Sequence, residues 1–294
     1  MKMKRNILSI VLTFTSIVML ATGQEGDRIY IDGTQWELLC NPIAADSVYF
    51  SLKAALPEDR SESTANWDGY TAYWSIAEDE LCLDSICCEY YNEETKKFYK
   101  ASLPADTLRR IFQKFYDGKR IVATWLTKEI RVGKGHLIYY EHMAYERNYE
   151  DEQFISIKQG KVTDVRTFQN YYVDGLSFDN FRPKYHIQNS EDLKKFFSIH
   201  TERYPELAGV KNIIFRIKEA RVDDTGHLVE CKIRATIRRD GQTEELPGVA
   251  AEMEEAMKAY HPWRVYFING EYRPYGIKGY MFNYKLNDND SFYN

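Results

Sequence analysis

Hydrophobic positions along this chain recur mostly at every second residue, and that period predicts a fold dominated by strands. The densest example runs from Asn66 to Leu83. Tyr70, Ala72, Trp74 and Ile76 alternate with Thr71, Tyr73 and Ser75, and Glu78 to Glu80 form a polar turn before Leu81 and Leu83 resume. This predicts a hairpin whose Tyr70-to-Ile76 set faces a core. Upstream, Ile29 and Ile31 alternate with Tyr30, Asp32-Gly33 supply a turn, and Trp36 and Leu38 continue on the far side. Downstream, Ile121 to Ile130 is a second run centred on a Trp, Trp125, and is expected to form another strand. Leu137 to Tyr140 and Phe154 to Ile157 follow, then a Gln159-Gly160 turn before Val162.

Helical spacing interrupts this pattern at three places. Leu108, Ile111, Phe112 and Phe115 stand at i, i+3, i+4 and i+7, with Pro104 near the start and Gly118 past the end, which predicts the one helix of the front half. Ser190 caps a second, with Leu193, Phe196, Phe197 and His200 on one face. His200 belongs to that apolar stripe, which makes it a packed or half-exposed residue and not a ligand. Pro247 opens a third, lined by Val249, Met253, Ala256, Met257 and Tyr260, where the methionines fill a core.

Between the last two helices Ile213, Phe215 and Ile217 alternate, Asp223 to Gly226 turn the chain, and Val229, Cys231, Ile233, Ala235 and Ile237 are expected on the core face of the next strand. After the third helix, Trp263, Val265 and Phe267 lead to an Asn269-Gly270 hairpin turn, and Tyr280, Phe282, Tyr284 and Leu286 alternate in a last strand. The breaker-rich, weakly periodic stretch from Tyr171 to Lys184 is the expected boundary between two units. The predicted class is α+β. A mostly antiparallel β domain with one helix occupies residues 24–172, and a helix, strand, strand, helix, strand, strand domain occupies residues 185–287.

Composition then narrows the functions. With 39 Lys and Arg against 44 Asp and Glu, the net charge is -5, and outside the N-terminus there is no basic cluster of the kind that phosphate backbones require. Nucleic acid is therefore not an expected partner. Lys2, Lys4 and Arg5 precede an apolar run from Ile7 to Leu20, and Ala21, Thr22 and Gly23 are small, as a signal peptidase requires. Residues 1–23 read as a cleavable signal peptide, which implies a periplasmic or secreted chain with no stable membrane insertion after processing.

Aromatic residues make up 15% of the chain, including 23 Tyr, more than core filling needs. The five cysteines, Cys40, Cys82, Cys87, Cys88 and Cys231, match no zinc spacing and show no activating neighbour, so buried thiols or one structural disulfide are expected. The closest approach to an acid-base cluster is Glu141, His142, Tyr145 and Glu146, but Glu141 and His142 are sequence neighbours that face opposite sides of a strand. No phosphate loop, nucleophile elbow or metal-binding His pair is present, and neither a catalytic residue nor a cofactor or metal is assigned.

Four pieces of the last third carry a resemblance: Tyr204-Pro205 ahead of a Gly and a long apolar strand, a Thr225-Gly226 turn, a helix ending in Tyr260-His-Pro-Trp263, and the Asn269-Gly270 turn before a closing strand. Their order resembles the C-terminal domain of TonB-type energy transducers. That resemblance implies an α+β unit whose exposed sheet edge accepts a strand from another protein. The chain departs from the family in having a cleavable signal in place of a lasting anchor, and in lacking a Pro-rich spacer. The front half, with Trp67-Asp-Gly-Tyr70 and Ala-Tyr-Trp74-Ser-Ile, is similar to exported bacterial proteins of unknown function.

The expected function is therefore that of an exported, non-enzymatic envelope protein that binds a protein or peptide by strand addition. Met281, Asn283 and Lys285 would stand on the outward side of the last strand. Two alternatives remain: a glycan-binding module in which Trp67, Trp74, Tyr70 and Tyr73 supply stacking faces, against which the alternation sets Trp74 and Tyr70 on the core face, and a hydrolase for which Glu141, His142 and Tyr145 are the first candidates. If the N-terminus is a signal peptide, intact-mass measurement of protein from the envelope fraction will show loss of about the first 23 residues. A full-length, membrane-embedded species would contradict it.

Overall fold

The structure is a computed structural model that describes residues 23–46, 48–141, 143–177, 194, 196–274 and 280–286. It is β-dominated, with strands in three sheets and three α-helices among these residues. The expected signal peptide and most of the expected Ser190 helix lie outside them.

The front half closes on itself. Strand β1 (Asp27–Ile31) turns into β2 (Thr34–Leu38) through Asp32 and Gly33, both at positive φ, as a two-residue hairpin turn demands. Strand β3 (Thr71–Ala77) runs parallel to β1 and turns through Glu78 and Asp79, again at positive φ, into the long β4 (Glu80–Asn92). Strands β5 (Lys97–Ser102) and β6 (Ile121–Val122) pair along β4, and β7 (Lys128–Tyr140), β8 (Arg147–Lys158) and β9 (Lys161–Gln169) form a meander. Since β2 pairs β7 and Lys161 of β9 meets Glu80 of β4, the order β3-β1-β2-β7-β8-β9-β4 returns to β3 as a barrel. Its core holds Ile29, Leu38, Ala72, Trp74, Leu81, Ile130, Val132 and Ile155, so the Tyr70-to-Trp74 face is inward as the alternation predicts.

Two expectations about this half are corrected. It contains two helices, α1 (Val48–Ala55) and α2 (Ala105–Ile111), where one was expected. Asp46 accepts the Val48 amide at 2.9 Å, and Val48, Leu52 and Leu56 reach the core at i, i+4 and i+8, a stripe too narrow to stand out among neighbouring aromatics. Trp125 is not on a strand. The Ile121 run stops at Val122, and Leu126 closes a turn on the Ala123 carbonyl at 2.9 Å. Trp125 instead plugs the barrel from the turn, donating to the Pro42 carbonyl at 3.1 Å and packing on Trp74, Phe112 and Phe115.

Strand β10 (Tyr171–Val173) lies in the expected boundary stretch and pairs with β14 (Val265–Ile268), which pairs in turn with β15 (Glu271–Arg273). The rest of that stretch, from residue 178, lies outside the described residues. The second core is built on β11 (Asn212–Val222) and β12 (Leu228–Arg239), extended by the short β13 (Gln242–Glu245) and covered by helix α3 (Pro247–Ala259). Val249, Met253 and Met257 of α3 are buried together with Ile213, Phe215, Ile217, Cys231, Ala235 and Ile237. Val229, expected inside, is exposed. A bulge between Arg221 and Val222 sets Leu228 opposite Val222 and turns Val229 outward.

The last strand, β16 (Met281–Lys285), does not pair with β14, although the Asn269-Gly270 turn precedes it. The turn serves β15, and β16 returns to β11 in a separate four-stranded sheet of order β13-β12-β11-β16. Gly175 locks the Tyr171-to-Ser177 segment to this half. A Cβ there would stand 2.4 Å from the Trp263 carbonyl carbon and 2.6 Å from the Arg264 nitrogen. Backbone cannot yield as a side chain does, so Gly175→Ala is expected to cost about 1–3 kcal/mol in urea unfolding. Unchanged stability would show that the segment is not held where the fold places it.

Candidate functional site, a free strand edge and a buried carboxylate

The hydrogen bonds around β16 determine which way each of its peptide groups points. The Leu286 amide donates to the Lys211 carbonyl at 2.8 Å and the Ile217 amide donates to the Tyr280 carbonyl at 2.8 Å. The register between them sets Phe282 opposite Phe215 and Tyr284 opposite Ile213. In an antiparallel pair alternate residues exchange both bonds, so Tyr280, Phe282, Tyr284 and Leu286 turn their N–H and C=O groups to β11. Met281, Asn283 and Lys285 turn theirs away from it, and among the described residues no strand lies on that side.

Side-chain packing enforces this register. Phe282 and Tyr284 are buried, Phe282 stacks on Phe215 at 5.2 Å, and Tyr284 meets Phe215 edge-on at 6.0 Å. A slip by one residue would drive Asn283 and Lys285 into the core. Met281 is exposed, while Asn283 and Lys285 are half-buried on the outer face. The Asn283 side-chain oxygen is covered and has no hydrogen-bond donor.

Trp67 and Tyr73 are not brought together with this edge by any contact among the described residues. Trp67 is 59% exposed in the Asn66-to-Gly69 turn, where its carbonyl accepts from Lys53 at 3.4 Å. Tyr73 is half-buried on β3 in the surroundings of Arg28, Tyr30 and Cys87. Trp74 and Tyr70 face the core and present no surface to a sugar ring.

The Glu141 cluster separates. Glu141 is exposed and pairs with Arg273 at 3.4 Å, whereas Tyr145 is half-buried near Asp27, Cys40 and Asp68, and His142 lies outside the described residues. Tyr145 and Cys40 line a cavity of about 490 Å³ with Asn41, Lys128, Arg131 and Glu146. Burial pushes the Cys40 thiol up to about 12, and burial also raises the Tyr145 hydroxyl, so both stay protonated at neutral pH. All five cysteines are free, three of them buried.

The alternation in β1 already places Asp27 on the same face as Ile29, and a carboxylate on a core face is a signal that the reading of the sequence passed over. Asp27 is buried. One of its oxygens accepts the Ala72 amide at 2.9 Å and the other accepts the Trp74 indole N–H at 3.0 Å, so it ties β1 to β3 across their parallel pairing. Around it Asn41 donates to Asp68 at 2.6 Å and to the Tyr70 hydroxyl at 3.1 Å, and Tyr49 donates to Asp68 at 2.7 Å. Burial, and then the Asp68 bond, push the Tyr49 hydroxyl up to about 12.

Among the described residues no helix is long and apolar enough to cross a membrane, and no group of three or more His, Cys, Asp or Glu is arranged to hold a metal ion. Comparison of the chain with known protein families, with curated proteins and with solved structures finds no match.

Asp27 makes stability depend on pH in a direction opposite to most carboxylates. Burial raises its pKa from 3.8 to about 7, so the folded state holds this proton more tightly than the unfolded chain does. Its contribution is complete below about pH 4, declines as pH rises through that window, and is lost above about 7. Asp27→Asn removes one acceptor from a pair of N–H donors and is expected to cost about 1–3 kcal/mol at low pH. That penalty will shrink as pH rises from 4 to 7 in thermal unfolding. A penalty that grows over this range would exclude Asp27 as the group responsible.

Proposed function

We propose that this chain is an exported, non-enzymatic binding protein that captures an extended segment of another protein by adding it as a strand beside β16. The observation that carries this reading is the outward direction of the Met281, Asn283 and Lys285 peptide groups at the end of the four-stranded sheet. An edge of this kind offers a ready ladder of donors and acceptors, and the register is fixed before the partner arrives, so little ordering has to accompany binding. Lys285 on the outer face discourages indiscriminate pairing of two such edges while leaving a selected partner possible.

The reading accords with the resemblance of the last third to the C-terminal domain of TonB-type transducers, in which strand addition is the mode of docking. The protonated state of Cys40 and Tyr145 supports the non-enzymatic part. The glycan alternative rests on the exposed Trp67, but Tyr73 is half-buried in other surroundings and the two form no shared platform among the contacts described.

Proline at position 283 would remove an outward N–H while leaving every bond to β11 in place, which edge strands tolerate. Heptapeptides selected from a random displayed library on the native protein are expected to bind Asn283→Pro about fivefold to tenfold more weakly, the equivalent of one net hydrogen bond. The unfolding temperature should not change. Unaltered peptide affinity, or unfolding of the variant, would overturn docking at this edge.

A further inference from the structure

We infer that the strand captured beside β16 is acidic, with two carboxylates four residues apart on the face it shares with Met281 and Lys285. This rests on the strand-addition reading and names the chemistry of the partner.

The argument comes from the outer face of the four-stranded sheet. Pairing places Lys285 beside Asn212, Asn283 beside Ile214 and Thr236, and Met281 beside Arg216 and Arg234. Arg216 and Arg234 are directly opposite each other, a like-charge pairing that destabilises a sheet unless something relieves it. Arg234 is relieved by Glu245 at 2.6 Å. Arg216 is not: its Nη2 lies 2.9 Å from the Met281 sulfur, a weak acceptor, and no carboxylate among the described residues pairs with it.

That contact also shows where the guanidinium points. It is turned toward β16, the last strand of the sheet among the described residues, and meets the Met281 side chain there. A strand added there would run about 4.8 Å beyond β16, which brings the side chain facing Met281 within reach of Arg216.

Lys285 occupies the same face four residues on and is likewise without a carboxylate partner among the described residues, as are Lys218 and Arg238. The other acids of this face are engaged: Glu219 holds Lys232 at 3.1 Å and Glu230 lies 3.7 Å from Arg221. In a chain whose net charge is -5, Arg216 and Lys285, which have no carboxylate partner among the described residues and stand at this edge, select a partner of opposite sign. Positions facing Met281 and Lys285 therefore call for Asp or Glu. The position between them, facing Asn283, calls for a small polar residue.

The test is calorimetric titration of the native protein with three nonapeptides of alternating Thr and Val. The first carries Glu at positions 3 and 7, the second Gln at both, the third Lys at both. The Glu peptide is expected to bind roughly tenfold more tightly than the Gln peptide, with the Lys peptide weakest, and the advantage should fade as salt rises. Arg216→Gln and Lys285→Gln should each remove part of the Glu advantage and leave affinity for the Gln peptide unchanged. If the Glu and Gln peptides bind equally and both weaken on Asn283→Pro, strand addition stands and acidic selection is wrong. If the Glu peptide binds but Asn283→Pro has no effect, docking is not at this edge and both readings fail. Binding of none of the three likewise overturns both.

Discussion

A strand can turn each of its peptide groups in one direction only, and in β16 the burial of Phe282 and Tyr284 decides which. With those two rings packed against Phe215, the even-numbered residues bond to β11 and the odd-numbered ones cannot. The edge is thus a consequence of the core. Exchanging the two sets would need a one-residue slip that carries a lysine inward, so the direction of the outward donors is as secure as the packing beneath them. The outer face inherits the same parity, which is why Met281, Asn283 and Lys285 share a surface with Arg216 and Arg234.

The front half is organised around another polar group in an apolar setting. Asp27 satisfies the Ala72 amide and the Trp74 indole together, and in doing so holds β1 and β3 side by side, the parallel pairing of the barrel, which no hairpin turn enforces. Trp74 in turn meets Trp125, which sits on Phe112 and Phe115. The barrel is anchored to the second half through β10 and through Tyr139, which packs on Tyr266 and lies under Arg273. These contacts join it to the three-stranded sheet β10-β14-β15.

The alternating pattern exposed much of this. The core faces around Trp74, Phe215 and Phe282, the helix opened by Pro247 and the turns at Asp32-Gly33 and Gln159-Gly160 follow from rules that span a few residues. What did not follow depends on residues far apart. Trp125 has the neighbours of a strand residue, yet its place is set by the Pro42 carbonyl 83 positions away. Val229 keeps the alternation of its run, but it is the extra residue of a bulge in its own strand, set against Arg221 and Val222, and is turned out. The Asn269-Gly270 turn was legible while its partner was not, since β15 is three residues long and β16 had the stronger pattern. Of the candidate site, the outward set Met281, Asn283 and Lys285 could be read from period two. That Arg216 beside it has no carboxylate partner among the described residues could not, because Glu245 pairs with Arg234 instead.

Amide hydrogen exchange, read residue by residue along β16, tests the central claim most directly. In the free protein the Met281, Asn283 and Lys285 amides should exchange quickly while those of Phe282 and Tyr284 are protected, and adding the Glu nonapeptide should slow the first set and leave the second unchanged. Slow exchange at Asn283 before any peptide is added, or no change once the peptide is bound, would contradict it.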